Sequence, residues 1–172
     1  MNCSLIWELS VNCIPYFPQA GNIKAMETKE SRYAEILATA GAIIDPEADD
    51  MANMANIAAL LHQTFGFWWT GFYRVIGDEL VLGPYQGPPA CTRIAFGRGV
   101  CGTAWQTART LNVPDVHKFP GHIACSSESN SEIVVPVARD GRIFAVLDID
   151  SREFGTFDRT DEAFLERIVS LL

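Results

Sequence analysis

The chain has 172 residues, 48% of them hydrophobic, and a formal net charge of −8 at pH 7. This length and apolar content suffice for one domain with a sizeable core. The negative charge argues against nucleic acid or an anionic membrane as the main partner, since both require basic patches. No apolar run reaches the roughly 18 residues that a membrane-spanning helix needs.

Residues 1–25 differ from the rest of the chain, because their apolar residues follow no clear period. No basic residue precedes the apolar stretch and Glu8 interrupts it, which disfavours a signal peptide. We interpret this segment as an N-terminal extension or an expression artefact, with Met26 as an alternative start, and place the domain over residues 26–172. Five cysteines are an odd number, which does not suit a fully paired secreted framework, so we predict a cytoplasmic protein.

Two helices are predicted at the start of this domain. Residues 28–44 carry apolar side chains at helical spacing, and Asp45-Pro46 ends the pattern. A second helix is predicted over residues 47–65. Its methionines are interpreted as core residues. The apolar positions of this second helix are Met51, Met54, Ile57, Ala58 and Leu61.

Strands follow the two helices. Residues 67–76 are rich in aromatic and β-branched side chains, and Gly77-Asp78 predicts a turn into a strand over residues 79–82. The long loop over residues 114–131, which contains Cys125, is expected to be functional, since long loops in compact domains usually are. Further strands are predicted over 93–96, 110–113, 132–138 and 142–150, with helices over 100–108 and 158–172.

The last two strands are predicted to form a hairpin, and its turn leaves two possible registers. A two-residue loop would pair Arg139 with Arg142, whereas a three-residue loop over 139–141 would pair Ala138 with Arg142. We favour the three-residue loop, because it collects apolar residues on one face, and a one-residue slip would mix apolar with acidic side chains. The predicted apolar face consists of Ile133, Val135, Val137, Ile143, Ala145, Leu147 and Ile149.

The other face of this hairpin gathers Glu132, Asp148 and Asp150. Solvated surface charges are one interpretation of these residues, but they adjoin very apolar strand, and the two aspartates alternate onto one face. Clustered carboxylates repel one another, so at least one pKa should rise and retain a proton near neutral pH. General acid catalysis needs such a proton. On an earlier strand, Trp69 and Tyr73 share a face and can line a pocket.

Three cysteines lie beside glycine, proline or serine: Cys91, Cys101 and Cys125. Core cysteines usually lie in apolar runs. Structural or incidental thiols are one interpretation of the spacing, but flexible neighbours make these three accessible to a substrate and to one another. Their placement therefore favours redox chemistry on a small molecule.

Metal and nucleotide sites are weakly supported. No Cys-x-x-Cys occurs, which excludes a zinc ribbon and a thioredoxin-type motif. His117, His122 and Cys125 match no strong ligand spacing, so no metal is expected. Gly97-x-Gly99-x-x-Gly102 lacks the βαβ context of a dinucleotide site and is interpreted as a strand-to-helix turn, so no cofactor is expected either.

Several segments follow one another in the order of a known family: WTGFY (69–73), LVLGPYQG (80–87), GRGVCGTA (97–104), DVH (115–117), GHIAC (121–125), SNSEIV (129–134) and VLDIDS (146–151). Together they resemble the free methionine-(R)-sulfoxide reductases, which are stand-alone GAF domains. Ordinary GAF sensor domains lack this cysteine set. The resemblance implies an α+β fold, with an antiparallel sheet flanked by helices, a small buried pocket and usually a homodimer.

The resemblance also implies roles for the thiols. Cys125 would attack the sulfoxide, Cys91 would resolve the resulting intermediate, and thioredoxin would reduce the disulfide. Cys101 would be an alternative resolving thiol or would compete for the catalytic role. Reaction of a thiolate with the sulfoxide leaves a sulfenic acid, which a second thiol converts to a disulfide.

The remaining site residues would bind free methionine-R-sulfoxide. The acidic cluster, chiefly Glu132 and Asp150 as acids and Asp148 as a binding group, would hold the substrate ammonium and supply the proton. Trp69 and Tyr73 would pack on the S-methyl group. Backbone N–H groups of the 121–126 loop, at Ile123 and Ala124, would bind the substrate carboxylate. The competing interpretations are a GAF ligand-sensing module and a peroxide-sensing thiol protein, neither of which turns over sulfoxide.

Overall fold

The computed structural model describes residues 28–44, 49–122 and 127–172, and these form a six-stranded antiparallel sheet flanked by helices. The expected α+β arrangement is confirmed. The sheet order is β3-β2-β1-β6-β5-β4. The strands are β1 (Trp69–Ile76), β2 (Glu79–Gln86), β3 (Arg93–Ala95), β4 (Leu111–Val113), β5 (Ser131–Arg139) and β6 (Arg142–Ser151).

Four α-helices are found in the described residues, close to the predicted positions. They are α1 (Lys29–Ile43), α2 (Asp50–Phe65), α3 (Gly99–Thr107) and α4 (Arg159–Val169). A short 3-10 turn over Val116–Lys118 interrupts the long predicted loop. None of these helices is long and apolar enough to cross a bilayer.

The second helix begins later than predicted. The Asp49 side chain accepts hydrogen bonds from the backbone N–H groups of Met51 and Ala52, so this residue caps α2 and the helix begins at Asp50 rather than near residue 47. The predicted break at 45–46 lies outside the described residues. The core interpretation is right for Met54, which is buried, and wrong for Met51, which is 36% exposed.

Alternation along the strands sends side chains into two separate cores, one on each face of the sheet. Helices α1, α2 and α4 cover one face, and α3 with the 3-10 turn covers the other. The first core contains six of the seven residues predicted for the apolar face of the hairpin: Ile133, Val135, Val137, Ala145, Leu147 and Ile149. The seventh, Ile143, packs on the opposite face.

The hairpin turn explains this exception. Arg139 pairs with Arg142, so the loop has two residues and the predicted three-residue loop is wrong. Asp140 and Gly141 both have positive φ, 52° and 74°, as the type I′ turn of two-residue hairpins requires. The register then shifts between Val137 and Ala138. A β-bulge therefore follows the turn directly.

On the side of the bulge away from the turn, the side chains of β5 and β6 point to the predicted faces of the sheet. Ala138 pairs with Ile143 and Val137 with Ala145, so β6 contains one extra residue between these pairs. Glu132 consequently pairs with Asp150, and not with Asp148 as the three-residue loop predicts. The partition of apolar and acidic side chains between the two faces is still the predicted one.

Helices α1 and α4 are joined by a buried polar contact. The Tyr33 hydroxyl donates to Asp161 Oδ1 at 2.7 Å, and Lys29 Nζ lies 2.6 Å from Oδ2 of the same carboxylate. The backbone N–H of Asp158, the N-cap of α4, donates to the same Oδ2. Asp161 is only 1% exposed, so each of these bonds replaces a bond to water.

Removing the hydroxyl of Tyr33 should destabilise the fold measurably. We expect Tyr33→Phe to lower the free energy of unfolding by about 1–3 kcal/mol, because Asp161 Oδ1 loses a buried donor. Urea unfolding followed by circular dichroism measures the change. The matched control is Tyr85→Phe, since the hydroxyl of half-buried Tyr85 has no hydrogen bond to any described residue. Equal stability of the two variants would contradict the prediction.

Candidate active site

A small pocket lies between the sheet and the N-terminal turn of α3. Its cavity volume is about 40 Å³. The pocket therefore suits a small ligand. Six of the residues proposed from the sequence line it together: Trp69 and Tyr73 from β1, Cys101 from α3, Glu132 from β5, and Asp148 and Asp150 from β6.

Strand register brings the three carboxylates together. Glu132 and Asp150 are cross-strand partners on β5 and β6, and Asp148 lies two residues before Asp150, on the same face. Asp148 is opposite Gly71 of β1, which has no side chain to fill the space beside it. Glu132 and Asp148 are 6% and 7% exposed. The Oδ1 atom of Asp148 accepts no hydrogen bond from the described residues.

The pKa values of this cluster are raised, as expected for crowded buried carboxylates. Burial is the largest cause for all three groups, because it disfavours the charged form. The charges of Asp148 and Asp150 raise the pKa of Glu132 further. The pKa of Asp150 rises to about 6, against a hydrogen bond with Ser129 that lowers it. The cluster can therefore hold a proton near neutral pH.

Cys101 lies in the first turn of α3 and is 4% exposed, so the expectation of an accessible loop position is wrong for this thiol. Its Sγ atom lies 3.8 Å from Glu132 Oε1. Burial raises the pKa of the Cys101 thiol, and the charges of Asp148 and Glu132 raise it further. Such a cysteine is a neutral thiol at neutral pH and a poor nucleophile.

An aromatic wall closes the opposite side of the pocket. The Trp69 and Tyr73 rings stack with centroids 5.9 Å apart. Between these residues, a Cβ at Gly71 would lie 2.6 Å from the Trp69 ring, so only glycine fits there. Trp69 Nε1 donates to the Pro88 carbonyl at 3.1 Å, and the Tyr73 hydroxyl donates to the Cys91 carbonyl at 3.0 Å. The aromatic pair therefore holds the segment that carries Cys91.

Cys91 and Cys101 differ in whether their sulfur forms a disulfide. Cys91 is half-buried and disulfide-bonded, whereas Cys101 is a free cysteine. Cys125 and the neighbouring substrate-binding candidates Ile123 and Ala124 lie outside the described residues. Their roles stay predictions.

The two histidines considered as metal ligands are in different environments. His117 Nε2 lies 3.0 Å from Asn130 Oδ1. His122 lines the pocket, and its Nε2 atom is 3.9 Å from Glu132 Oε2. Burial lowers the pKa of His122, and nearby His117 lowers it further.

Ten pocket residues have no site role in the sequence-based prediction, among them Trp68, Arg98, His122 and Ser129. The position of His122, three residues before Cys125 in the GHIAC segment, is the one sequence signal that could have identified it. Trp68 immediately precedes β1, and the Arg152 guanidinium is 3.6 Å from the centre of its ring. Trp68 and Arg152 are far apart in the chain, so no local sequence pattern predicts this contact.

The sequence and fold are similar to those of known proteins. A family model of the GAF domain matches residues 52–172. The free methionine-R-sulfoxide reductase of Escherichia coli is 46% identical over 145 residues, which span 84% of this chain and 88% of the relative. GAF domain-containing protein A of Dictyostelium discoideum is 53% identical over 84% of this chain and 92% of its own length.

A solved structure extends this similarity to the fold. The structure of free methionine-R-sulfoxide reductase from Neisseria meningitidis, in complex with its substrate, matches with a TM-score of 0.81 at 51% identity. The match covers 84% of this chain and 87% of that chain. The chain therefore belongs to the free methionine-R-sulfoxide reductases, a family of GAF-domain proteins.

Proposed function

We propose that this protein reduces free L-methionine-(R)-sulfoxide to L-methionine through a cysteine sulfenic acid and a disulfide that thioredoxin reduces. One observation carries the proposal: a small pocket brings buried Glu132 and Asp148 together with half-buried Asp150, beside an aromatic wall. The 51% identity to a reductase solved with its substrate supports the same conclusion. A cytoplasmic location and a homodimer stay predictions from the sequence.

Substrate selection follows from charge and size. The pocket presents carboxylates, and Arg98, which also lines it, forms no ion pair with them. A free amino acid supplies the ammonium group that such a site lacks, whereas a methionine within a peptide has no ammonium. The rings of Trp69 and Tyr73 offer an apolar surface to the S-methyl group.

The first chemical step is attack of the Cys125 thiolate on the sulfoxide sulfur. The attack forms a sulfur–sulfur bond, and an acid of the cluster protonates the sulfoxide oxygen. The oxygen then transfers to Cys125 Sγ as the sulfur–sulfur bond and the sulfur–oxygen bond of the substrate both break, which leaves Cys125 as a sulfenic acid. Methionine is released with its sulfur reduced. Glu132 and Asp150 are the proposed proton donors, because their raised pKa values keep a proton available near neutral pH.

Two further steps regenerate the thiols. The Cys91 thiol condenses with the sulfenic acid, forming a disulfide with Cys125 and releasing water. Thioredoxin then exchanges its dithiol for this disulfide and becomes oxidised itself. The disulfide-bonded state of Cys91 supports its assignment as the resolving thiol.

Cys101 is assigned neither role in this proposal. Its thiol is buried, its pKa is raised, and its Sγ atom lies against the Glu132 carboxylate. These properties disfavour nucleophilic attack. We assign it to the pocket wall.

The substrate prediction tests the ammonium argument. We expect turnover of free L-methionine-(R)-sulfoxide with thioredoxin, thioredoxin reductase and NADPH, and much slower turnover of the S epimer and of peptide-bound sulfoxide. The matched control substrate is the N-acetylated R sulfoxide, which keeps the sulfoxide and loses the positive charge. Equal rates on the free and acetylated compounds would refute recognition of the ammonium. The absence of turnover on any of them would favour a ligand-sensing module.

The thiol assignments predict different single-turnover behaviour. Cys125→Ser should release no methionine from a stoichiometric mixture of reduced enzyme and sulfoxide. Cys91→Ser should release about one equivalent but lose recycling by thioredoxin, because its sulfenic acid has no resolving partner. Cys101→Ser is the matched control and should keep both steps. If Cys125→Ser released methionine and Cys101→Ser released none, the nucleophile would be Cys101 and not Cys125.

The acid cluster should control the sulfoxide step. Glu132→Gln keeps the size of the side chain but removes the acidic proton, and we expect a loss of about 10²–10⁴-fold in the single-turnover rate, the usual scale of general acid catalysis. Asp140→Asn in the exposed turn is the control and should react at the wild-type rate. An unchanged rate in Glu132→Gln would refute its role as a donor.

The same burial predicts a pH-dependent stability difference. The pKa of Asp150 is about 6 in the folded protein and about 3.9 in an unfolded chain. The folded state therefore binds more protons between these values, and its stability falls as pH rises through them. In urea unfolding, Asp150→Asn should have the same free energy of unfolding as the wild type near pH 4. At pH 7 its free energy of unfolding should be higher than that of the wild type. A variant that is less stable than the wild type at pH 7 would contradict this expectation.

A further inference from the structure

Three potential metal ligands meet at one end of the pocket. Ligand atoms of Cys101, Glu132 and Asp148 all lie within 4.8 Å of one another, and Cys101 Sγ is 3.8 Å from Glu132 Oε1. Around a tetrahedral zinc ion, with bonds of about 2.0–2.3 Å, neighbouring ligand atoms are about 3.3–3.8 Å apart. Small side-chain rotations therefore bring all three atoms onto one ion.

The hydrogen bonding of Asp148 is a second observation that points to a cation. Its carboxylate is 7% exposed, lines the pocket, and has an Oδ1 atom without a hydrogen bond from the described residues. A buried acceptor without a partner is costly, and a bound cation supplies the partner. Among the described ion pairs, Glu132 contacts only a histidine, and neither Asp148 nor Asp150 has a basic partner.

The donor set indicates which cation fits. A thiol and two carboxylates form a mixed soft and hard set, which suits Zn²⁺ better than Mg²⁺ or Ca²⁺, since those ions prefer oxygen ligands alone. His122 Nε2, 3.9 Å from Glu132 Oε2, is close enough to complete a tetrahedral site after a side-chain movement. The pocket, with a cavity volume of about 40 Å³, accommodates one ion.

We propose that the reduced protein binds one Zn²⁺ ion through Cys101, Glu132 and Asp148, with His122 as the fourth ligand, and that this ion excludes the substrate. Cys101 loses its proton to solvent as the zinc–sulfur bond forms, without a change of oxidation state. The ion acts as an inhibitor and not as a cofactor, because it occupies the carboxylates that hold the substrate ammonium. This exclusion, but not the binding of zinc, rests on the proposed function.

The binding test uses the full-length protein, reduced with a phosphine that is then removed. Isothermal titration with ZnCl₂ should give a tight site that Cys101→Ser and Glu132→Gln each weaken by at least about 10–100-fold, the cost of losing even an outer-shell partner. The matched controls, Cys91→Ser and Asp140→Asn, should bind as the wild type does. Undiminished binding by Cys101→Ser would overturn the proposal, and so would a selective loss in Cys91→Ser.

A cobalt titration gives a measurement that does not depend on how the variants fold. Co²⁺ added to the reduced wild-type protein should produce a sulfur-to-cobalt charge-transfer band in the near ultraviolet and intense visible bands of a tetrahedral site. Zn²⁺ should abolish both. A spectrum without the charge-transfer band, indicating oxygen ligands alone, would overturn the assignment of Cys101.

Competition connects the ion with the substrate. In reduced Cys125→Ser, which is expected not to react with it, added free methionine-R-sulfoxide should weaken the apparent affinity for Zn²⁺ in proportion to its own concentration, while the N-acetylated compound should not. Zinc binding that is indifferent to the sulfoxide would refute the shared site. Turnover measured in a chelator, without added metal, tests the proposed function separately, so a failure of that function is distinguished from a failure of the zinc site.

Discussion

The rest of the site depends on one constraint: two buried carboxylates, half-buried Asp150 and a buried thiol lie together, and no lysine or arginine forms an ion pair with them among the described residues. Burial of unpaired acids is costly, and it opposes folding as each group ionises. The two apolar cores, one on each face of the sheet, offset that cost. The same unbalanced charge prepares the pocket for a small cation, either an ammonium group or a metal ion.

Much of the fold could be predicted, because alternation along β5 and β6 separates apolar from acidic residues. The turn could not be predicted in the same way. Asp140-Gly141 is a strong signal for a two-residue loop, yet that loop alone would put Glu132 on the apolar face. A bulge in β6 allows a two-residue loop while keeping Glu132 on the acidic face. The position of this bulge is set by pairing with β5 and not by a local motif.

The site was partly predictable for the same reason. The acidic cluster and the Trp69–Tyr73 pair follow from strand alternation, which is a local property. The burial of Cys101 does not, because neighbouring glycines are equally typical of an open loop and of a helix start packed closely against a sheet. The hydrogen bonds from Trp69 and Tyr73 to the Cys91 segment also depend on contacts between distant parts of the chain.

The hydrogen bond between Trp69 Nε1 and the Pro88 carbonyl has a spectroscopic consequence. It couples an indole in the pocket wall to the backbone three residues before Cys91. A movement of that segment in the proposed thiol cycle would break or lengthen this bond and change the polarity around the ring. The emission of Trp69 would then report the redox state during turnover without an added label.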